Sequence, residues 1–234
     1  MSSVIQVSEV ERRALSKVKR HLLLYIILGQ LCYQLCRTNI GFAQLTMGKA
    51  LGLKAEAFGF AAGVFALSAC FMQIPSGLML EKFRPRRWLT FNMVCWGLVV
   101  VAQAFVFNGK QLTALRFVLG IFEAGFLPGV FVIIGTWFKG RDQGVATSFV
   151  QMGLGLSALF GSPFAGWILG KSILGLAGWR CLFLVEGTLT VLWAITSLRI
   201  LSDEPAKTSW LDLEEREFMV GYLGNYQARK LPWR

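Results

Sequence analysis

The chain holds little from which a soluble enzyme is usually built. It has one histidine, His21, and its five cysteines include no CxxC pair, so neither a metal site nor a redox pair is indicated. Charged residues make up only 16% of it, and acids are the scarcer sign, 13 against 24 bases. No Ser-His-Asp set and no paired-carboxylate site can be picked out. The glycine-rich stretch of Gly153, Gly155, Gly161 and Gly166 lacks the Lys-Ser/Thr ending of a phosphate loop, and reads instead as close helix packing with a kink at Pro163. An enzyme is not expected, nor a cofactor.

What the chain has is apolar sequence: 55% hydrophobic residues in 234 and a mean hydropathy of +0.55. Runs of membrane-crossing length fall at 22–44, 57–80, 88–107, 112–137, 145–169 and 180–201, each near the roughly 20 residues a helical span needs. They are interrupted by glycine and lack the alternation of barrel strands. Helices, which satisfy their own backbone polar groups in lipid, are therefore expected. The first run follows a polar, charged stretch, has no small-residue cleavage site and is too long for a signal core, so it should remain as a span.

The net charge of +11 is explained by its placement. Seventeen of the 24 Lys and Arg fall on one side of the implied topology, in the first twenty residues, in the stretch Lys82 to Arg87, at Lys139 and Arg141, and from Arg199 onward. The alternate loops carry five. The positive-inside rule then puts both termini in the cytoplasm, and the bases set topology rather than bind nucleic acid. The chain divides into a cytoplasmic arm, 1–21, a six-helix bundle, 22–201, and a cytoplasmic tail, 202–234, in which Ser209 to Asp212 suggests a capping box for a short amphipathic helix.

Two spans carry charge. Arg37 lies in the first, Arg116 and Glu123 in the fourth. If the spans form two triplets, the first and fourth occupy equivalent places, as in the inverted repeat of a secondary transporter. At 1.5 Å per residue Arg37 and Arg116 both lie about 22–24 Å from the inner edge. Glu123, two turns on from Arg116, shares its face about 10 Å deeper. An arginine at a helix centre costs about 2.5–3.5 kcal/mol on insertion scales, and such residues usually mark a pathway or a ligand. One reading is a shared aqueous cavity; the other is structural ion pairing or snorkelling. Glu186, six residues after Arg180, either lines that cavity or pairs at the outer rim.

"GLMLEKFRPRR", Gly77 to Arg87, resembles the cytoplasmic signature loop of the major facilitator superfamily, with Arg84 where a second glycine is usual. "CRTNIGFAQLTM", "QIPSG", "LRFVLGIFEAGFLPG", "GSPFAGWIL", "GLAGWRCLFLVEG" and "DEPAKTSWLDLEE" then resemble, in order from Cys36 to Glu215, motifs of its anion:cation symporter family. The resemblance implies an all-α membrane protein, six transmembrane helices as a 3+3 inverted repeat forming the N-terminal half of the major facilitator fold. It implies proton-coupled transport of an organic carboxylate anion by alternating access in a bacterial inner membrane.

It also implies roles. Arg37 and Arg116 would attract and hold the anion, with Tyr33 and Asn39 on the same first-span motif, and Glu123 would couple the proton. In the signature loop Gly77 would let two helices approach, Glu81 would cap a neighbouring helix's N-terminus, and Lys82, Arg86 and Arg87 would hold the loop at the cytosol and meet acids that move past it. Two departures stand out: Cys36 replaces an aspartate before Arg37, and Ala69 replaces a tyrosine before Gln73. The superfamily has two six-span halves. This chain would be a half that pairs with a second half or with itself, or a truncated, non-transporting fragment or interaction subunit.

Overall fold

The computed structural model describes residues 2–172 and 175–229, with side chains for 9–80, 82–172 and 175–224. Its described residues are almost wholly helical. In chain order the helices are α1 (Ser2–Leu51), α2 (Ala55–Lys82), α3 (Pro85–Gln103), α4 (Gly109–Glu123), α5 (Phe126–Trp137), α6 (Gly140–Leu169), α7 (Gly178–Ile200) and α8 (Leu213–Arg229), with a 3-10 turn at Pro205–Lys207 before the last.

Local chemistry sets the boundaries. Pro85 opens α3, where its missing N–H costs nothing. Asn108 caps α4, its side chain accepting from the Gln111 N–H at 2.9 Å. Pro75 and Pro163 lie inside α2 and α6, and each helix is assigned unbroken through its proline. The break comes elsewhere. The segment read as a single fourth span is divided at Ala124–Gly125 into α4 and α5. Pro128 has no N–H to offer the Ala124 carbonyl four residues back, which explains a discontinuity directly after Glu123.

Four segments of the described residues are long and apolar enough to cross a membrane: Ala55–Leu80, Gly109–Trp137, Gly140–Leu169 and Gly178–Ile200. The expected first and third spans fall short of that composition. Gln30, Gln34, Arg37 and Asn39 dilute α1, and α3 begins with Arg86 and Arg87 in its first turn.

The principal helix pairs are α3 with α7, α2 with α4, and α1 with α6. At the first crossing the backbones meet at two glycines: a Cβ on Gly97 would lie 3.0 Å from the Gly187 carbonyl oxygen, and one on Gly187 2.6 Å from that of Gly97. Small residues permit this close approach. Trp96, Met93, Phe126 and Phe183 fill the core around it.

The arm does not separate from the first span; α1 runs through both in 50 residues. Its first half is covered by the tail. Ala14 and Val18 are buried in the same cluster as Met219 and Leu223 of α8, His21 stacks on Trp210 at 4.6 Å, and Lys17 reaches Glu215 at 2.8 Å and Asp212 at 3.0 Å. In place of the expected box at Ser209 and Asp212, one of the two bonds of such a motif is made three residues later, where the Glu215 carboxylate accepts from the Asp212 N–H at 3.0 Å. The tail's last stretch, 230–234, lies outside the described residues.

Candidate functional site

Side chains on a helix lean toward its N-terminus, and this decides which charges meet. Arg37 leans one turn back along α1, where its Nη1 donates to the Tyr33 hydroxyl at 2.7 Å. There it faces the end of antiparallel α4, with Glu123 Oε2 at 3.7 Å. Its guanidinium lies against two rings, with its carbon 5.1 Å from the centroid of Tyr33 and 4.9 Å from that of Phe65. Tyr33 is fixed in turn by stacking on Phe126 at 5.0 Å.

Arg116 leans the other way, toward the start of α4, and its Nη2 donates to Asn39 Oδ1 at 2.6 Å. Asn39 Nδ2 donates to Glu186 Oε2 at 2.9 Å. An amide has an acceptor and a donor, so Asn39 can join a cation on one helix to an anion on another where neither aspartate nor leucine would serve. Glu186 therefore pairs with the interior of the bundle and not with the rim. Arg180 instead donates to the carbonyls of Ala104 and Val106 at the end of α3 and lies over the Trp179 ring.

The polar side chains thus form two groups on α1, α4 and α7: Arg37 with Glu123, and Arg116 with Asn39 and Glu186. Arg116, Glu123 and Asn39 are fully buried, whereas Arg37 keeps 32% of its side chain exposed. Arg37 is thus partly accessible, whereas Arg116 is enclosed. Among the described residues the two Glu123 oxygens have no hydrogen-bond partner, and neither has Arg116 Nε. An unpartnered buried carboxylate beside an open guanidinium has the chemistry of an exchangeable pair. Cys36 takes no part: its Sγ turns toward α7, 3.5 Å from the Thr190 hydroxyl.

The signature loop is tied to the end of α7 and the segment after it. The Arg86 N–H donates to Asp203 at 2.9 Å, its guanidinium donates to the Leu198 carbonyl, and Arg84, in the place of the usual glycine, lies 3.6 Å from Glu204. Lys207, with Arg84 adding, holds the Glu204 carboxyl below its ordinary value. Lys82 and Arg87 are exposed. Gly77 makes no close approach among the described residues; a Cβ there would meet nothing within 4 Å. The Glu81 side chain lies outside the described residues.

Sequence reasoning left Glu186 undecided and missed the break after Glu123. The signals were present as an acid inside the sixth apolar run and as Gly125, Pro128 and Gly129 closely spaced within the fourth.

The profile of the Major Facilitator Superfamily matches residues 26–233. The chain belongs to that superfamily. Its relatives include a protein of Agrobacterium vitis named "Putative tartrate transporter", 37% identical over 95% of this chain and 52% of that protein. Another is the "Quinolone resistance transporter" of Acinetobacter baumannii, 32% identical over 94% of this chain and 51% of the relative. Among solved structures, the superfamily's proton:xylose symporter XylE, bound to 6-bromo-6-deoxy-D-glucose, has the same fold over 92% of this chain and 52% of its own, with a TM-score of 0.73 at 16% identity. The chain spans about half the length of the curated relatives it matches.

Proposed function

We propose that this chain is the N-terminal half of a proton-coupled importer of an organic carboxylate anion, working by alternating access in a bacterial inner membrane with both termini in the cytoplasm, and that it is not an enzyme. The observation that carries the reading is the Arg37–Glu123 pair, a partly exposed guanidinium facing a buried carboxylate that has no hydrogen bond among the described residues. A substrate carboxylate and Glu123 compete for Arg37. When Glu123 takes up a proton it gives up its claim on Arg37, and the guanidinium is free to bind the anion. Proton and anion then bind together, which is the condition for symport. Arg116, held by Asn39, adds positive potential from below. Tyr33 orients Arg37, and the break after Glu123 lets its helix end move.

The six-span, 3+3 arrangement belongs to the same proposal and is supported by the packing. Exchanging α1 with α4/α5, α2 with α6 and α3 with α7 turns the α2–α4 contact into α6–α1, α1–α7 into α4–α3, and α3–α7 into itself, all of them pairs in contact. In the signature loop, Gly77 and Glu81 would face a second half, while Lys82, Arg86 and Arg87 gate at the cytosolic surface.

The substrate class follows the Agrobacterium vitis relative's name. Radiolabelled tartrate uptake into proteoliposomes, with the chain alone and with the second half of that relative, tests the reading. An inward proton gradient should drive uptake in one or both preparations, and Arg37→Ala should abolish it; uptake indifferent to the gradient would count against coupling. The half-length match favours a second reading, a fragment or interaction subunit without transport of its own. Uptake in neither preparation supports that reading.

A further inference from the structure

A cavity of about 220 Å³ lies between α1, α6 and α7, and neither Arg37 nor Glu123 is among its lining residues. Its walls are apolar, among them Leu31, Leu35, Phe164 and the ring of Phe160. Phe160 and Leu189 are 59% and 51% exposed, so the mouth opens onto an apolar surface. Glu186 is the one charged residue in the lining.

The state of that carboxylate points to a ligand. Glu186 is only 3% exposed, its Oε2 is taken by Asn39, and its Oε1 has no hydrogen-bond partner among the described residues. Thr190, also in the lining, does not meet it, because its hydroxyl donates to the Glu186 backbone carbonyl at 2.8 Å. A buried acceptor of this kind is costly to leave unmet, and native proteins rarely do so.

We infer that this cavity binds a small hydrophobic amine in its ammonium form, with the ammonium on Glu186 Oε1 and the hydrocarbon body between Leu35, Phe160, Phe164 and Leu189. An apolar neutral molecule fills the walls but leaves Oε1 unmet. An anion meets the carboxylate's repulsion. An ammonium supplies donors and the opposite charge, and its apolar body suits both the walls and an approach through the exposed apolar mouth. The cavity is smaller than the roughly 300–1,000 Å³ of pockets that hold drug-sized ligands, so a single ring with a short chain sets the scale. The site is separate from Arg37 and stands whether or not the transport reading does.

Three probes of equal shape test it on the purified chain in a non-ionic detergent: phenylbutylamine, phenylbutanol and phenylbutyrate, titrated against the thermal unfolding midpoint. The amine should bind at least about tenfold more tightly than the alcohol, the difference a charge-assisted hydrogen bond makes, and the acid should not bind. Glu186→Gln should reduce amine binding to the alcohol's level while alcohol binding persists, which also shows that the variant is folded. Leu189→Trp, at the exposed mouth, should weaken both. Equal affinity for amine and alcohol, an amine preference that survives Glu186→Gln, or no binding by any probe would overturn the assignment.

Discussion

Arg37 and Glu123, on antiparallel helices, stand 3.7 Å apart, and the guanidinium nitrogen that faces the carboxylate is the one held by Tyr33 at 2.7 Å. The pair is asymmetric in exposure. Arg37 can be reached and Glu123 cannot, so removing either has a different effect. Arg37→Met leaves a carboxylate buried without a counter-charge, which in fully enclosed pairs costs about 3–5 kcal/mol; screening at the open side of Arg37 brings the expectation to about 1–3 kcal/mol. Adding Glu123→Gln to it should recover most of the loss. Unfolding of both variants in mild detergent measures this, and equal stabilities of the single and double variants would show that the charges do not interact.

Asn39 is expected to be less replaceable than its uncharged side chain suggests. Asn39→Leu removes the partner of both Arg116 and Glu186 at once and leaves two buried ions without hydrogen bonds, a loss of about 3 kcal/mol or more. Asn39→Asp keeps the acceptor for Arg116 but faces Glu186 with a second carboxylate, so it too should destabilise. If Asn39→Leu proved as stable as the parent chain by thermal unfolding, the group of Arg116, Asn39 and Glu186 would be dispensable.

The glycines divide by what lies beside them. Gly97→Ala would put a methyl 2.7 Å from Val191 Cγ2 and against the Gly187 backbone, and should cost about 1–3 kcal/mol by overpacking. Gly77→Ala meets nothing among the described residues and should be neutral, or stabilise by up to about 1 kcal/mol through helix propensity. Where a second half packs against α2, Gly77→Ala should instead impair that association. Paired melting curves and a co-purification assay separate the outcomes.

The arm and tail are fastened by Lys17. Its hydrogen bonds to Glu215 and then Asp212 raise its ammonium above the ordinary 10.5. A raised base contributes its stabilisation fully below the unfolded value and loses it as pH climbs through the raised one. Lys17 therefore keeps the tail docked through neutral pH and releases it only in strong alkali. Limited proteolysis between α7 and α8 should be slow and unchanged from pH 6 to about pH 9, and fast throughout in Lys17→Met.

Much of the helical layout was legible in the sequence because lipid leaves so few options for a long apolar run. Five of the six expected runs lie within one helix each or overshoot its end by a few residues. The fourth run hid a break, since Pro128 acts on the Ala124 carbonyl four residues earlier and apolar content does not register it. The level shared by Arg37 and Arg116 did not translate into contact. Each long side chain leans a turn away from its own Cα, so Arg37 meets Glu123 and Arg116 meets Asn39. Glu186 was ambiguous because Arg180 lay near in sequence, while its real partner sits on α1, 147 residues away.

The central claim is that substrate carboxylate and Glu123 share Arg37. Calorimetric titration of the purified protein with tartrate in buffers of different ionisation enthalpy reads proton exchange on binding. The account predicts a proton taken up with tartrate by the parent chain, no uptake in Glu123→Gln, and no binding in Arg37→Ala. Tartrate binding without proton uptake, or uptake that persists in Glu123→Gln, would contradict it.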